Sequence, residues 1–418
     1  MRILLISANR EKVPYPVLPI GLAAVASSLE AAGHEVRFLD LCFSRAPERD
    51  AARAVAGLRP GLIGLGLRNL DNCDFEVPRD FVPEARRLVG ACRAAGDAPI
   101  VVGGSAVGVM PEAVLRAVGA DFAIAGDGER AVAALADALA RGEDPGTLPG
   151  LWIRRGEDVR PGAGDPVPAL SALPHPRIPR WVDPGPYLRY EGVYPLQSKR
   201  GCALRCIYCT YVNLEGRSYR FRSGESVADE VEEIRDRTGI SDFEFVDSTF
   251  NAPPAHALEV CRALSRRRLG VRFIGNGMNP VATTSGLLDA MRAAGFHALV
   301  STAESASDAV LANLKKGFTR AHLEQVARAS RASGMPNLWI FLLGGPGETR
   351  DTVLETLEFF QDAAGPGDVA YLTSGVRIYP DTALEGIALG EGFIRDRREL
   401  ISPRFYFSPG LDRAWLRD

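Results

Sequence analysis

The sequence predicts two α/β domains in tandem: an N-terminal doubly wound, Rossmann-like sheet, followed by a partial (β/α)6 barrel. Short apolar runs alternate with amphipathic segments before residue 145 and again after residue 194, as in parallel strands joined by helices. Between these two parts, eight prolines crowd residues 145–179 and interrupt the alternation. A length of 418 residues also suits two to three domains.

The N-terminal domain, residues 1–145, contains five apolar runs of strand length. The predicted strands are 2–7, 35–41, 62–67, 99–103 and 121–125, and the predicted helices are 20–32, 48–58, 83–95, one beginning at Pro111, and 129–141. Ligands of such open sheets bind outside the carboxyl ends of the strands. The residues that follow each strand are therefore the candidates for binding.

Residues 146–193 are predicted to be a Pro-rich linker in which only 151–154 has the pattern of a strand. Six strands follow in the barrel domain, 194–390, at 194–198, 242–247, 271–276, 298–302, 337–343 and 368–378. The carboxyl ends of barrel strands form the working face of this fold. The last segment, 391–418, is too short for a domain of its own.

Composition and charge exclude several classes of protein. Hydrophobic residues make up 46% and charged residues 24%, which is ordinary globular usage. The 49 basic and 52 acidic residues give a net charge of −3, which does not favour nucleic-acid binding through bulk charge. The apolar runs are only strand-sized, and the N-terminus lacks the pattern of a signal peptide. We therefore expect a cytoplasmic protein with neither a nucleic-acid nor a membrane partner.

Three of the seven cysteines fall within eight residues, as Cys202, Cys206 and Cys209 in a CxxxCxxC loop after the first barrel strand. Thiolates are the ligands that iron–sulfur clusters prefer. This spacing lets one loop hold three irons of a 4Fe-4S cluster and leaves one iron without a cysteine. The alternative is a zinc knuckle, which commonly takes its four ligands from two such pairs. The sequence has no second pair and no histidine near the triad, so a cluster is predicted.

This loop, with the aromatic Tyr208 just before its last cysteine, resembles that of the radical S-adenosylmethionine (SAM) enzymes. In that family the open iron chelates SAM, and reduction splits SAM into methionine and a 5′-deoxyadenosyl radical. Other segments resemble the cobalamin-binding branch of the family, and together they cover most of residues 194–392. They are 245–251 (FVDSTFN), 302–305 (TAES), 314–319 (LKKGFT), 341–349 (FLLGGPGET) and 377–382 (RIYPDT).

The resemblance, together with positions near predicted strand ends, gives a set of candidate residues around the cluster and SAM. Glu304 and Arg377 suit the ammonium and carboxylate of SAM, and Glu304 is alternatively placed to approach the open iron. For each residue alone the other interpretation is a rim polar group or a helix cap, and for Arg320 a solvated helix charge. The candidates are Tyr208, Asp247, Asn276, Glu304, Ser305, Arg320, Gly344, Gly345, Arg377 and Tyr379.

The N-terminal sheet resembles the cobalamin domain of the same branch, because glycines and polar residues follow its strands. The alternative is a plain flavodoxin-like sheet whose glycines serve only as turn residues. The candidate cobalamin-binding residues are Pro19, Gly21, Arg68, Asn69, Asp71, Gly103, Gly104, Ser105, Gly126, Gly128 and Glu129.

One departure concerns the ligand below cobalt. Many such domains carry a DxHxxG motif whose histidine ligates the metal, but none of the five histidines here has that context, and only His34 lies in the sheet domain. We therefore expect cobalamin without a histidine below cobalt and with Arg68 near that face. The alternative for Arg68 is a salt bridge to Asp71 that only fixes the loop. Tryptophan 2-C-methyltransferases of the family also lack the histidine.

The resemblance implies a cobalamin-dependent radical SAM C-methyltransferase that moves a methyl group from SAM through methylcobalamin to an unactivated carbon of a small molecule. Carbon 2 of tryptophan is one candidate acceptor, and Glu304 and Arg68 are the expected catalytic residues. The alternatives are a ring contraction or cyclisation by the same branch, or an inactive cluster-bearing sensor. The expected partners are a small-molecule substrate and an external electron donor of the flavodoxin or ferredoxin type.

Overall fold

A computed structural model describes residues 1–162 and 170–417 and contains two parallel sheets, one in each predicted domain. The N-terminal sheet has seven strands in the order β2-β1-β3-β4-β5-β6-β7. Its strands are β1 (Arg2–Ser7), β2 (Glu35–Asp40), β3 (Leu62–Gly66), β4 (Ile100–Gly103), β5 (Phe122–Ile124), β6 (Leu151–Arg155) and β7 (Asp158–Pro161). Its helices are α1 (Ile20–Ala31), α2 (Pro47–Leu58), α3 (Val82–Ala95), α4 (Ser105–Val109), α5 (Pro111–Val118) and α6 (Gly128–Arg141).

Strand β1 lies inside this sheet, between β2 and β3, and its apolar residues are buried on both faces. Leu4 and Ile6 pack in one core with helices α2, α3 and α5, whereas Ile3 and Leu5 pack in another with α1 and α6. The strand order reverses on either side of β1. The crevice beyond the carboxyl ends of β1 and β3 is therefore where this fold places a ligand.

The sheet extends further than its sequence pattern predicted. Strands β6 and β7 form a hairpin that pairs antiparallel with β5, so residues 151–161 of the predicted linker belong to the sheet. Strand β6 was predicted at 151–154, but its partner β7 and their pairing with the sheet were not, because charged residues and Pro161 hide the alternation in β7. Residues 163–169 of that linker lie outside the described residues.

The rest of the predicted linker packs between the two domains. It forms two short helices, α7 (Ile178–Trp181) and α8 (Gly185–Arg189). Ile178 and Tyr187 are fully buried there beside Leu18 and Cys42 of the first domain. Residues 178–189 therefore help to join the domains.

The second sheet has six parallel strands in the order β15-β14-β13-β12-β11-β8, which confirms the partial barrel. Its strands are β8 (Tyr194–Leu196), β11 (Asp242–Phe245), β12 (Arg272–Met278), β13 (Phe296–Glu304), β14 (Asn337–Leu343) and β15 (Val369–Ser374), and the small pair β9 (Lys199–Arg200) and β10 (Arg220–Phe221) follows β8. The helices are α9 (Tyr211–Leu214), α10 (Gly224–Thr238), α11 (Pro254–Arg267), α12 (Ser285–Ala294), α13 (Asp308–Asn313), α14 (Arg320–Ser333), α15 (Arg350–Ala363), α16 (Ala383–Gly390) and α17 (Arg413–Arg417).

The last predicted strand, 368–378, is divided at Gly375. Its second part, β16 (Val376–Arg377), leaves the barrel sheet and pairs antiparallel with β17 (Phe405–Tyr406) of the C-terminal segment. Tyr406 and Phe407 are buried, so this segment closes one side of the barrel. In the part of the chain that the structure describes, no helix is both long and apolar enough to span a membrane.

Candidate active site between the two sheets

The cysteine loop lies at the carboxyl end of the first barrel strand, as the sequence predicts. It begins at Gly201, whose φ is +93° and whose hypothetical Cβ would lie 2.2 Å from the Ser218 carbonyl, so glycine is required there. The Cys202 amide donates to the Gly216 carbonyl (3.0 Å), and the Ile207 amide donates to the Leu314 carbonyl (3.2 Å). The backbone of the loop is thus fixed at two points.

The three thiols lie close enough to affect one another. Burial raises the pKa of Cys209 to about 11, and the neighbouring Cys206 and Cys202 add to this effect. Yet no three His, Cys, Asp or Glu side chains among the described residues converge on a position that would hold one metal ion. Three cysteines on one loop suit the three cysteine-held irons of a 4Fe-4S cluster.

A buried charged pair stands beside this loop. The Lys316 ammonium lies 2.7 Å from Glu304 Oε2, and the Tyr208 hydroxyl donates to Glu304 Oε1 (2.7 Å). Burial alone would lower the pKa of Lys316, but the charges of Glu304 and Cys206 raise it above its usual value. Glu304 ends strand β13 with a φ of +57°, a left-handed conformation that is uncommon for a residue other than glycine.

Asp247 fixes the turn that leads into the cysteine loop. Its carboxylate accepts hydrogen bonds from the Ser198 hydroxyl (2.6 Å) and from the Ser198 and Lys199 amides (2.8 and 3.1 Å). The buried Lys199 ammonium lies 3.7 Å away, and His256 Nε2 contacts the same Ser198 hydroxyl (3.1 Å). Both carboxylate oxygens of Asp247 thus already accept hydrogen bonds from the protein. Its contact with a cofactor stays a prediction.

The backbone amides of the glycine turn after strand β14 are hydrogen-bonded to a carboxylate of the same turn. The amides of Gly344 and Gly345 both donate to Glu348 Oε2, at 3.0 Å for Gly345. Burial raises the pKa of Glu348 to about 7, although the two amides act in the opposite direction. Ser305 is likewise fully buried, with its hydroxyl 3.1 Å from that of Thr356. These three predicted SAM contacts are therefore engaged with protein groups.

Arg377 joins three parts of the chain instead of reaching towards the cluster. Its Nε donates to Asp71 Oδ2 of the first domain (2.7 Å), and its Nη2 and Nη1 donate to the Leu400 and Ile378 carbonyls. Both charged groups are buried. The Tyr379 ring lies against this guanidinium, and its hydroxyl contacts the Cys73 thiol (3.0 Å). The geometry gives no support to a contact between Arg377 and SAM.

Arg320 lies on the outside of the barrel. It begins helix α14, pairs with Glu324 one turn later (3.4 Å) and is partly exposed. This is the solvated helix charge that the sequence left open as an alternative.

The carboxyl edge of the N-terminal sheet gathers several predicted cobalamin residues. Gly21, Arg68, Gly104, Ser105 and Gly126 are all exposed there, and Pro19, Asn69 and Gly103 are half-buried. Gly104 has a φ of +104°, and a Cβ on it would lie 2.3 Å from the Leu67 carbonyl. This glycine lets β4 turn closely past β3, and the edge remains open to a large flat ligand.

Two of the other predicted cobalamin residues hold the domains together. Asp71 pairs with Arg377, and Glu129 accepts from Arg200 of strand β9 (2.6 Å). Arg200 also pairs with Asp127 (3.0 Å), just before the half-buried Gly128, and Arg220 pairs with the same carboxylate. Asp71 and Glu129 thus face the barrel domain across a buried ionic boundary.

No histidine in the described part of the chain lies at the carboxyl edge of the sheet. His34 stands at the amino edge, where its Nδ1 is 3.3 Å from the N-terminal amine. Arg68 lies two residues after the end of β3 at the carboxyl edge, is exposed, and pairs with no carboxylate among the described residues. Asp71, its predicted alternative partner, is taken by Arg377.

Sequence reasoning missed Glu244, Tyr15 and Lys316. Glu244 lies between Phe243 and Phe245, whose rings pack outside the sheet, so strand alternation directs it into the barrel. Its oxygens accept from Tyr15 (3.1 Å) and from Asn276 (2.7 Å). The signal for Lys316 was the KG motif, but a lysine in a loop is usually exposed, and its burial required the tertiary contact with Glu304.

Comparison with known proteins agrees with this architecture. The model for the radical SAM superfamily matches residues 196–360, and that for the B12 binding domain matches residues 6–136. Tryptophan 2-C-methyltransferase of Streptomyces laurentii is 27% identical over 89% of this chain and 72% of the relative. An uncharacterized methyltransferase of Pyrococcus horikoshii is 25% identical over 94% and 84%, respectively.

The solved structures of TsrM from Kitasatospora setae resemble the whole chain. TsrM, a radical SAM methyltransferase, with tryptophan substrate and the SAM analogue aza-SAM matches with a TM-score of 0.89 at 27% identity, over 98% of this chain and 86% of that one. TsrM with cobalamin and a 4Fe-4S cluster matches with a TM-score of 0.88 at 26% identity, over 99% and 85%.

Two domains in this order, with a cysteine loop at one face and an open sheet edge at the other, define an enzyme with two cofactor-binding regions. The chain belongs to the cobalamin-dependent radical SAM enzymes. Its cofactors are a 4Fe-4S cluster, SAM and cobalamin.

Proposed function

We propose that this enzyme transfers a methyl group to carbon 2 of the indole ring of tryptophan or of a close tryptophan derivative. The chain is a C-methyltransferase of its family. The choice of acceptor is supported by the tryptophan 2-C-methyltransferase relative, which aligns along 89% of this chain, and by the tryptophan substrate named for TsrM.

The observation that carries the proposal is Arg68 at the carboxyl edge, in a sheet whose only histidine lies at the opposite edge. A guanidinium stays charged and has no lone pair to offer a metal. Beneath a corrin ring, Arg68 would exclude water and other donors from cobalt without ligating it. Cobalamin held there without a lower ligand would supply a methyl group as a cation equivalent, and the indole carbon that accepts it would lose its proton in exchange.

On the other side, we assign Cys202, Cys206 and Cys209 to three irons of the cluster. Glu304 would face the fourth iron or the ammonium of SAM, because its carboxylate stands beside the cysteine loop. Lys316 and Tyr208 hold Glu304 in place, through a 2.7 Å ion pair and a 2.7 Å hydrogen bond. With its cofactors bound, the enzyme takes a methyl group from SAM onto cobalamin and gives it to the substrate.

Product analysis tests this function. Anaerobically reconstituted enzyme with cobalamin, tryptophan and SAM carrying a trideuterated methyl group should yield S-adenosylhomocysteine and 2-methyltryptophan that carries the label. If 5′-deoxyadenosine is the only SAM product, a ring contraction, a cyclisation or another radical reaction replaces this proposal. If SAM is not consumed under reducing conditions, the chain acts as a cluster-bearing sensor.

Paramagnetic resonance of the cob(II)alamin form tests the role of Arg68. We expect no nitrogen splitting of the cobalt lines, because neither a histidine nor the nucleotide base should ligate cobalt. Arg68→Lys retains the charge but introduces an amine that is able to ligate. It should reduce methyl transfer while leaving cobalamin binding intact, whereas a threefold splitting in the unaltered enzyme would contradict the proposal.

The same chemistry sets the partners and the compartment. Cluster and cobalt both need electrons, so we propose an external donor of the flavodoxin or ferredoxin type. Because thiolate-held clusters with an open iron need reducing surroundings, we place the enzyme in the cytoplasm.

A further inference from the structure

Glu244 is a buried acid inside the barrel. Its side chain extends from the centre of β11 into the barrel interior, and only 6% of the residue is exposed. The flanking Phe243 and Phe245 pack on the opposite side of the sheet with Phe273 and Phe296. Strand geometry therefore leaves Glu244 no path to bulk solvent on the outer face.

The two direct partners of Glu244 are both hydrogen-bond donors. The Tyr15 hydroxyl donates to Oε2 (3.1 Å), and the Asn276 amide nitrogen donates to Oε1 (2.7 Å). Two donors on two oxygens suit the ionised carboxylate, and each oxygen keeps a lone pair for a further donor. Burial opposes that ionised state and raises the pKa of Glu244.

The charge of Glu244 has no cationic partner within 4.0 Å among the residues that the structure describes. Three other buried acids of the site do have one: Glu304 pairs with Lys316, Asp247 with Lys199, and Asp71 with Arg377. A buried charge without a counter-charge is costly to maintain. Glu244 can thus accept a directly bonded positive group, in addition to the longer-range effect of the Arg68 charge.

The position of Glu244 shows which ligand would bring that group. Tyr15 belongs to the loop after β1 of the cobalamin-binding domain, whereas Glu244 and Asn276 belong to neighbouring barrel strands. The charge of Arg68 acts on both Tyr15 and Glu244. The carboxylate therefore lies where the working faces of the two domains meet, which is where a methyl acceptor must lie.

We propose that Glu244 binds the ammonium group of an amino-acid substrate and that Tyr15 and Asn276 position its carboxylate for this contact. The inference rests on the proposed tryptophan acceptor and adds the group by which the enzyme would select it. An ammonium offers three donors and a full positive charge, which matches the free lone pairs and the unbalanced charge of Glu244.

Binding measurements on the fully loaded enzyme test this proposal without relying on turnover. Calorimetry with tryptophan and with indole-3-propionate, which lacks the amine, gives the preference of the site for an ammonium. Glu244→Gln keeps the shape but removes the charge. It should weaken tryptophan binding about tenfold to a hundredfold, as the loss of a charged hydrogen bond does, and leave indole-3-propionate binding unchanged.

Two further variants complete the test. Asp242→Asn, on the same strand but paired with Arg272 at its exposed end, is the matched control and should keep the preference. Tyr15→Phe keeps the ring but removes the hydroxyl that donates to Glu244, and it should reduce the preference for tryptophan over indole-3-propionate severalfold. It replaces Glu244→Gln if that variant does not fold. If Glu244→Gln, or Tyr15→Phe in its place, still prefers tryptophan as strongly as the unaltered enzyme, the role of Glu244 is refuted while the tryptophan acceptor stands. If the unaltered enzyme binds neither compound, the proposed acceptor fails and this inference with it.

Discussion

The two cofactor regions of this enzyme are built in different ways. Beside the cysteine loop, the polar side chains are buried and paired with one another, as in the Glu304–Lys316 pair with Tyr208. At the sheet edge of the first domain, the predicted contacts include exposed glycines, a serine and Arg68, which forms no ion pair with any residue that the structure describes. A compact, charged cofactor needs side chains fixed in advance, whereas a large flat one needs backbone that stays out of its way.

The largest expected effect separates the two regions completely. Replacing Cys202, Cys206 and Cys209 together by alanine should abolish the cluster, since the thiolates are its only predicted protein anchors apart from Glu304. Iron and sulfide analysis should fall from about four of each per chain to none. Cobalamin binding, measured by its visible absorption, should persist, and its simultaneous loss would show that the two regions do not assemble independently.

A smaller but substantial effect is expected from the buried ion pair. Lys316→Met leaves the Glu304 carboxylate buried without its cation, which should lower the free energy of unfolding by about 3–5 kcal/mol. Adding Glu304→Gln should restore part of that loss. The matched control is the exposed pair of helix α14, where Arg320→Met should cost less than about 1 kcal/mol. Denaturant unfolding measures both losses. If Lys316→Met and Arg320→Met lower the free energy of unfolding equally, the ion pair beside the cysteine loop does not stabilise the fold more than an exposed pair.

At the sheet edge, two glycines should respond in opposite directions. Gly104→Ala introduces a Cβ against the Leu67 carbonyl at a φ of +104° and should destabilise the apoprotein by about 1–3 kcal/mol. Gly21→Ala meets no atom within 4 Å in the first turn of α1 and should stabilise it by roughly 0.5–1 kcal/mol. Thermal unfolding with and without cobalamin checks both. If Gly21→Ala leaves cobalamin affinity unchanged, Gly21 is not part of the contact surface.

The smallest expected effect depends on pH and lies at the glycine turn of the cluster side. Burial raises the pKa of Glu348 from 4.5 to about 7, so the folded state binds this proton more tightly than the unfolded state. Its contribution therefore lowers stability as pH rises from about 4.5 to about 7. Glu348→Gln keeps an acceptor for the two glycine amides but does not titrate. The fall in its free energy of unfolding over this pH range should therefore be smaller by about 1 kcal/mol or more. Identical pH profiles of unfolding for the two proteins would refute the assignment.

Much of the fold was predictable because it depends on local periodicity. Strand β1 was predicted at its observed bounds, and the CxxxCxxC loop was placed after the first barrel strand. The β6–β7 hairpin and the pairing of β16 with β17 were not predicted, since both depend on which distant edge a short, irregular segment reaches.

Motifs and strand ends indicate candidate site residues, but the sequence does not indicate their partners in the other domain. Arg377 follows a barrel strand, as a SAM ligand would, yet its guanidinium is held by Asp71, more than three hundred residues earlier. Glu244 escaped notice because its partner Tyr15 lies in the first domain. Such pairs have no signature in a single sequence, because neither residue type indicates its distant partner.

The buried pair between Arg377 and Asp71 also bears on how cobalamin enters and leaves. Both groups lie on the boundary between the domains, together with the contacts of Arg200 and Arg220 to Asp127. If cobalamin enters and leaves by separation of the two domains, all of these contacts must break at once. The residence time of the vitamin should therefore be long compared with one catalytic cycle, so that each enzyme molecule is loaded once and then carries the same cobalamin through many turnovers.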